Sequence, residues 1–365
     1  LVLSFVLIAS VFLRYYTLWP QVVFLSVGQG DCAVVRSKSS VIVVDTGTEA
    51  SARGILVPYL KREGVKQIDL CIISHLHADH VGGLGELCRN FKVKTIMTCP
   101  GSKESVVQMV REAILTLNAD ALTSHAAYSY GAVCEFEFSP RAGPFVSAAA
   151  CSASKGMHVI EAGAGDVYMV GGAVITVIHP PKLYGLAGEN ADVAGGVPAL
   201  GIQAGSRGFD NEDSLVVGME FGGLPAHVEF WGDAPGKSVL SLLEAVDITG
   251  NPGGDTQLTE TGVWEMESWG GQPEIRGFPC AGDGVVSIVK VPHHGSPDSL
   301  VYGFYQRAQG GVAVISVGPN SYGHPSPDVI EAAEESGLRV LRTDLDGAVT
   351  AKMYPGRVRV STFVR

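Results

Sequence analysis

The amino-acid sequence predicts an α/β protein in which two strand-rich halves contain interspersed helices. Short apolar runs, of which Ile68–Ser74 and Val285–Val291 are the clearest, have the length and composition of buried strands. Residues 106–117 instead repeat apolar side chains at the spacing of an amphipathic helix. A chain of 365 residues, 46% of them hydrophobic, is also long enough to bury a large core.

The remaining elements are predicted in chain order. Further strands of the N-terminal part are expected at Val22–Val27, Cys32–Arg36 and Val41–Val44, with a helix at Ile55–Glu63. Further strands of the C-terminal part are expected at His158–Glu161, Val174–Ile178, Ser214–Phe221, His227–Trp231, Val312–Val317, Arg339–Arg342 and Ala348–Met353. A last helix begins at Ser326, an N-cap followed by Pro327 at the first helical position, and ends at Gly337.

Three stretches rich in glycine or other small residues interrupt this pattern. They are predicted as insertions near residues 124–154, 185–208 and 247–284. The last of them holds four glycine-containing clusters and is predicted to have little order.

The first residues differ from the rest of the chain. Leu1–Leu13 is almost wholly apolar and precedes Arg14, Tyr15, Tyr16 and Trp19. As a helix this run spans about 20 Å, which is short of a full bilayer crossing. A signal peptide would start with Met and a basic segment, and neither is present. We therefore expect residues 1–19 to be the end of a transmembrane helix, with an apolar strand as the alternative, and residues 20–365 to form the folded domain.

Charge and cysteine content limit the classes of function. The formal net charge of −11 argues against a broad basic surface that would grip duplex DNA through its phosphates. It does not exclude a nuclease, because bound divalent cations supply positive charge locally. The seven cysteines are scattered and never spaced as CxxC, so they predict neither a zinc knuckle nor a disulfide framework.

The densest group of polar side chains is His75-Leu76-His77-Ala78-Asp79-His80. Imidazole and carboxylate are the ligands that suit zinc and its divalent neighbours. His75 follows a buried strand, so His75 and His77 can point the same way and share one ion. Asp79 and His80 lie beyond the turn and could face a second ion. The alternative is an ordinary polar loop, which would not require this spacing.

Two further groups follow strands of the C-terminal part. A carboxylate at Asp233 could bridge two ions, and the alternative is a helix N-cap. Of the adjacent histidines His293 and His294, we expect His293 to complete the second metal site. His294 would then orient the substrate or act as an acid.

Other polar residues are predicted to support these groups. His324, between a glycine and a proline, could contact a phosphate or protonate a leaving oxygen, with a surface histidine as the alternative. Asp45 is expected to hold the histidines in place more than to bind metal itself. Ser296 and Asn320 are predicted to bind substrate.

Together these motifs resemble a known family. HxHxDH after a buried strand resembles the metallo-β-lactamase superfamily, and the flanking motifs resemble the hydrolase domain of ComEC, the bacterial competence family. The motifs that carry the resemblance are FLSVGQGD (24–31), VDTG (44–47), KVPHHGS (290–296), SVG (316–318) and GHP (323–325). The resemblance implies a four-layer αββα sandwich with metal ligands on loops along one edge of the two sheets.

The sequence departs from this pattern at two places. The family usually has Asp where Ser26 stands. Many metallo-β-lactamase-fold enzymes have a histidine just before the strand that corresponds to Ser214–Phe221. Here Asn211 and Asp213 precede this strand, which agrees with the Asn-x-x-Ser motif of ComEC proteins. Asn211 and Asp213 could each be a metal ligand or a supporting residue. A site with more oxygen ligands would favour manganese over zinc.

The resemblance implies a binuclear, metal-dependent hydrolase with two divalent ions, Mn or Zn. Its expected activity is that of a nuclease that degrades one strand of incoming DNA during transformation. Expected partners are single-stranded DNA, the bacterial membrane and other competence proteins, with the domain on the extracytoplasmic side. The alternatives are a membrane-tethered or secreted hydrolase of phosphocholine or lactone esters, and a non-catalytic channel domain with a decayed metal site.

Overall fold

The computed structural model describes residues 19–38, 40–121, 146–147, 156–180, 211–248, 266–269, 272–276 and 285–363. The proposed transmembrane segment at 1–19, apart from Trp19, and the insertion at 185–208 lie outside these ranges, as does most of 124–154. Among the described residues, no helix has both the length and the apolar character needed to cross a bilayer.

The described strands are short, as is usual for a packed sandwich. In chain order they are β1 (Gln21–Phe24), β2 (Ala33–Ser37), β3 (Ser40–Val44), β4 (Gln67–Ile72), β5 (Lys92–Thr98), β6 (Val146–Ser147), β7 (His158–Glu161), β8 (Val167–Val170), β9 (Ala173–His179), β10 (Val216–Phe221), β11 (Ala226–Phe230), β12 (Met266–Trp269), β13 (Gln272–Arg276), β14 (Val286–Lys290), β15 (Val312–Ile315), β16 (Arg339–Arg342), β17 (Ala348–Tyr354) and β18 (Arg357–Phe363).

The helices lie between these strands. They are α1 (Glu49–Ser51, continuing through a π-helical Ala52–Leu56 into Val57–Arg62), α2 (Ala78–Val81), α3 (Leu84–Asn90), α4 (Lys103–Ala121), α5 (Gly236–Ile248), α6 (Tyr302–Gln306) and α7 (Pro327–Glu335). The predicted helix at Ile55–Glu63 starts earlier than expected, because the Thr48 hydroxyl accepts a hydrogen bond from the Ser51 amide and caps it.

The strands form two mixed sheets. Their orders are β12-β13-β18-β17-β1-β2-β3-β4-β5-β7 and β16-β15-β14-β11-β10-β9-β8-β6. In the first sheet β3, β4, β5 and β7 are parallel neighbours, and in the second β11, β14, β15 and β16 are. Parallel neighbours end at the same edge of a sheet, so the loops that follow them come together.

The core has three layers of apolar packing. One lies between the sheets, where the rings of Phe24 and Phe230 have centroids 5.7 Å apart. A second lies between the first sheet and α1, α3 and α4. The third lies between the second sheet and α5, α6 and α7, centred on the buried Trp231. The expected four-layer αββα sandwich is therefore confirmed.

Two short strands lie in the stretch that was predicted to be an insertion with little order. Residues 247–284 were expected to have little regular structure, yet β12 and β13 lie within them. Backbone pairing of Glu274–Arg276 with β18 extends the edge of the first sheet. Such pairing uses main-chain groups of any residue, so the glycine content of the stretch does not reveal it.

Candidate metal centre

The candidate metal centre lies where parallel strands of both sheets end. Asp45 follows β3 and His75 follows β4, while Asp233 follows β11 and His294 follows β14. The two sheets therefore contribute side chains from opposite sides to one enclosed space. Sequence positions more than 200 residues apart meet there because of the sheet topology.

The first cluster contains His75, His77 and Asp233, whose ligand atoms lie within 4.8 Å of one another. The Nε2 atom of His75 is 3.8 Å from Oδ2 of Asp233. It is buried and has no hydrogen-bond partner within the protein. A buried nitrogen left without a partner is costly, and a metal ion would satisfy it.

The second cluster contains Asp79, His80, Asp233 and His294, again within 4.8 Å. Oδ1 of Asp233 is 3.2 Å from Nε2 of His80 and 3.7 Å from Nε2 of His294. Both nitrogen atoms are buried without a hydrogen-bond partner, as is this carboxylate oxygen. Asp233 thus directs one carboxylate oxygen toward each cluster.

The orientation of His80 is fixed from behind. Its Nδ1 lies 2.9 Å from Oδ2 of Asp45, whose other oxygen accepts the Ser74 amide at 2.7 Å. With Nδ1–H donating to that carboxylate, the lone pair of Nε2 points into the cluster. Asp45 therefore contacts His80 on the side away from the second cluster, and with Asp31 and His80 it forms a third group that could hold a metal ion.

The two adjacent histidines have the reverse of their expected placement. His294, not His293, lies with the second cluster, and its Nδ1–H donates to the carbonyl of Ser316 at 2.8 Å. Its side chain is 2% exposed, whereas that of His293 is 22% exposed. Both residues have positive φ, 49° and 54°, so the chain turns sharply and separates the two rings. The alternation of side-chain directions expected along a β-strand does not predict this turn.

His293 lies instead on the side of the first cluster. Its Nε2 is 3.9 Å from Oδ2 of Asp233 and 3.4 Å from Nδ2 of Asn211. Among the described residues, Asp213 belongs to none of the clusters of His, Cys, Asp and Glu that could hold a metal ion. The Oδ1 atom of Asn211 is buried without a hydrogen-bond partner in this part of the chain. His179 donates through Nδ1 to the carbonyl of Ser214 and is likewise outside the clusters.

Two predicted substrate contacts are engaged in other bonds. The buried hydroxyl of Ser296 accepts the Asp298 amide and caps a short 3₁₀ turn, Pro297–Ser299. The Asn320 side chain bonds four backbone groups of its own loop. Because these polar atoms already have hydrogen-bond partners within the protein, both residues stabilise the loops that contain them. His324 remains at the centre, with its ring 5.5 Å from that of His293.

The sequence interpretation missed two residues, Asp31 and Lys290. Both are buried and form an ion pair, and the ammonium also donates to the carbonyl of Gly232 at 2.8 Å. Lys290 lies 3.8 Å from Oδ1 of Asp233, behind the bridging position. A lysine at the end of a largely apolar strand is the sequence feature that could have pointed to it.

Glycine allows Asp31 to reach this place. A Cβ on Gly30 would lie 2.5 Å from the carbonyl oxygen of Asp79, and the backbone of Gly30 has a φ of +144°. The Asp31 amide donates to that same carbonyl at 3.1 Å. The GQGD segment can therefore pack directly against the metal-ligand loop only with glycine at this position.

Electrostatic interactions give the imidazoles of the centre different pKa values. Burial lowers the pKa of His80, but the carboxylates of Asp233 and Asp45 outweigh it and hold that pKa well above its ordinary value. Burial and the neighbouring His80 instead lower the pKa of His75 to about 3. Burial raises the pKa of Asp233, but His80 and other cationic neighbours outweigh it and bring that pKa well below its ordinary value.

The centre as a whole has excess negative charge. With neutral imidazoles, the carboxylates of Asp31, Asp45, Asp79 and Asp233 and the ammonium of Lys290 leave three net negative charges. One divalent ion would still leave the enclosed site negative. Two would leave it with one positive charge, which suits an anionic substrate such as a phosphodiester.

Comparison with known proteins agrees with these observations. Residues 25–98, which include the HxHxDH motif, match the profile of the Metallo-beta-lactamase superfamily. The chain is 24% identical to ComE operon protein 3 of Bacillus subtilis (strain 168) over 366 aligned positions, which cover 94% of this chain and 34% of that protein. It is 41% identical to Competence protein ComA of Neisseria gonorrhoeae over 56 residues, 15% of this chain and 8% of that protein.

Among solved structures, the metallo-beta-lactamase fold protein YhfI of Bacillus subtilis aligns with 91% of this chain and 99% of its own, at 11% identity and a TM-score of 0.44. The chain spans about a third of the length of ComE operon protein 3 and less than a tenth of ComA. The chain is therefore similar over most of its length to a competence protein, and it has the metallo-β-lactamase fold, with the superfamily match at residues 25–98.

Proposed function

We propose that the chain is a binuclear, metal-dependent phosphodiesterase that cleaves DNA, with single strands as its preferred substrate. The observation that carries this proposal is the carboxylate of Asp233, which faces two adjacent ligand clusters with one oxygen each. The superfamily match and the competence relatives support a metallo-hydrolase acting in DNA uptake. The relative named Endoribonuclease ysh1, of Schizosaccharomyces pombe, supports phosphodiester chemistry (28% identity over 21% of this chain and 11% of that protein).

The residues present fit two divalent ions, manganese or zinc. His75, His77 and Asp233 would hold the first, and Asp79, His80, Asp233 and His294 the second. When bound, such a pair supplies an activated water near neutral pH and a clamp on phosphoryl oxygens. The first set contains three His and Asp ligands and the second contains four, so the first is proposed as the weaker site.

The protein itself positions the substrate. His293 and His324 lie on the solvent side of the clusters, with ring centroids 5.5 Å apart. We place both imidazoles on the phosphodiester, where an N–H can donate to a non-bridging oxygen. Lys290, behind Asp233, keeps that carboxylate oriented from the protein side.

A membrane location is also proposed. The apolar segment Leu1–Leu13 and the competence relatives support a domain attached to the bacterial membrane, facing the extracytoplasmic side, with other competence proteins as partners. Protease accessibility of the full-length protein in intact spheroplasts would test the side. Resistance to added protease until the membrane is permeabilised would contradict it.

The central experiment is a cleavage assay with the metal-loaded chain. We expect Mn²⁺-stimulated cleavage of a labelled single strand, slower cleavage of the matching duplex, and loss of both in His77→Ala and Asp79→Ala. Glu104→Gln, in the first turn of α4, is the control that should retain activity. Absence of cleavage with Mn²⁺ or Zn²⁺, together with hydrolysis of a choline phosphodiester or a lactone, would replace the nuclease with the alternative hydrolase.

A further inference from the structure

Tyr322 is the most exposed large apolar or aromatic residue among those whose burial the structure describes. Its side chain is 73% exposed, although the sequence places it only two residues before His324. Apolar surface of this size remains in water at a free-energy cost unless a partner covers it. A single exposed ring is common on protein surfaces, so its surroundings decide whether it has a function.

The loop that carries Tyr322 is held in one shape. Oδ1 of Asn320 accepts the backbone amides of Tyr322 at 3.0 Å and His324 at 3.1 Å. Nδ2 of the same residue donates to the carbonyls of Gly318 at 2.9 Å and His324 at 2.8 Å. The backbone beneath the ring is therefore ordered in advance, and less entropy is lost when something binds to it.

Tyr322 is also the outer end of a row of rings. Its centroid is 5.7 Å from that of His324, with 33° between the planes. His324 lies 5.5 Å from His293, and His293 lies 6.4 Å from His294 in the second ligand cluster. The row leads from the exposed ring directly to the metal centre.

A DNA strand that enters this centre needs an attractive interaction other than ion pairing with basic side chains. The net charge of −11 weakens phosphate binding over the protein as a whole. Stacking of a base on an aromatic ring is the usual non-ionic contribution to single-strand binding, and it tolerates any sequence. A base in a duplex is already stacked on its neighbours and is not available to such a ring.

We propose that Tyr322 is a stacking platform for an unpaired nucleobase of the strand whose phosphodiester lies at the metal centre. This inference rests on the proposed nuclease function and deepens it, because it assigns the preference for single strands to one residue. The phosphate is held by the centre, and a neighbouring base covers the exposed ring.

The test compares two 20-residue strands with the same phosphates, oligothymidylate and a fully abasic strand. Binding is followed by fluorescence anisotropy at low salt with the metal-loaded protein, and both strands carry the same phosphorothioate linkages, which resist cleavage. We expect wild-type protein to bind oligothymidylate more tightly, and Tyr322→Ala to weaken that binding roughly 5- to 150-fold without affecting the abasic strand. Tyr322→Phe, which keeps the ring, should bind like the wild type.

Tyr302→Ala is the matched control, since Tyr302 is 54% exposed at the first residue of α6. It should bind both strands normally. Three outcomes would contradict the proposed role of Tyr322. Tyr322→Ala could weaken binding of both strands equally, or it could leave binding of oligothymidylate unchanged. The wild-type protein could also bind the two strands with the same affinity. Failure of the nuclease proposal has a different result. In that case the metal-loaded wild-type protein would bind oligothymidylate through Tyr322 but would not cleave DNA.

Discussion

Asp233 is the residue on which both ligand clusters depend, because each of its carboxylate oxygens faces one cluster. Asp233→Asn keeps the size of the side chain but removes the charge. We expect metal content to fall from about two divalent ions per chain to well below one, as measured by elemental analysis after dialysis. The exposed Asp298→Asn, on a neighbouring turn, should keep the wild-type content. Full occupancy in Asp233→Asn would contradict the bridging assignment.

The buried pair of Asp31 and Lys290 yields a prediction about stability. Lys290→Met leaves the Asp31 carboxylate buried without its cation, next to the carboxylates of the centre. We expect a loss of about 3–5 kcal/mol in the free energy of unfolding of the metal-free protein, measured with urea. The double variant Asp31→Asn/Lys290→Met should recover much of that loss. Equal instability of the double variant would show that the pair acts only through packing.

We expect the imidazole of His80, as a proposed ligand, to make metal binding depend on pH. Its pKa in the folded, metal-free protein is raised, because Asp233 and Asp45 outweigh the effect of burial. Its proton therefore stabilises the metal-free fold below the unfolded pKa, and this contribution is lost as pH rises through the folded pKa. Metal must displace that proton, so the affinity should rise with pH over the same range.

Calorimetric titration with Mn²⁺ or Zn²⁺ in buffers of different ionisation enthalpy measures the protons released. We expect net release at neutral pH and less release from Asp45→Asn, in which one of the carboxylates that raise the pKa is absent. Proton release that is zero in the wild type would contradict the assignment of His80 as a ligand.

At the scale of elements, the loop between β15 and α7 depends on the Asn320 side chain. Its four backbone hydrogen bonds fix the positions of Tyr322 and His324 relative to the metal centre. Asn320→Ala should lower kcat for single-stranded DNA roughly 10- to 100-fold, because small displacements of positioning groups are costly. Metal content should not change, since no metal ligand lies in this loop. The exposed Ser321→Ala is the control, and an unaffected kcat in Asn320→Ala would show that the loop is held by other contacts.

The turn after β14 is the other element that shapes the centre. His293 and His294 both have left-handed backbone conformations, and Gly295 follows with a φ of +77°. A Cβ on Gly295 would lie 2.6 Å from Cβ of Pro325, so this turn packs directly against the loop of His324. Two segments separated along the chain thereby present their histidines to the same space.

At the scale of the whole molecule, net charge should limit binding of the proposed DNA substrate. The formal charge is −11, and the excess negative charge of the centre is available for two divalent ions. We expect the logarithm of kcat/KM for single-stranded DNA to fall with the logarithm of salt concentration at a slope no steeper than about −2, which corresponds to two or three phosphate contacts. Steady-state kinetics from low to physiological salt measure this slope, at a fixed metal concentration. A steep slope would reveal a basic surface outside the described residues.

Much of the fold and part of the candidate site follow from local sequence. Apolar runs such as Ile68–Ser74 and Val285–Val291 predict buried strands at nearly their observed positions, because burial of a strand requires a continuous apolar segment. The His75–His80 motif likewise brings metal-binding side chains together over six residues, where the local turn alone keeps them close. Such properties depend on neighbours in the chain, so they can be recognised without the fold.

Only the tertiary structure decided which distant groups complete the centre. The sheet topology brings Asp233 and His294 to the His75–His80 motif, and the left-handed turn places His294, not His293, in the second cluster. The pairing of Asp31 with Lys290 arises from the same long-range packing. The physical reason is that a strand or motif determines its own conformation through adjacent residues, whereas its partners across the sandwich depend on how the two sheets stack and where parallel strands end.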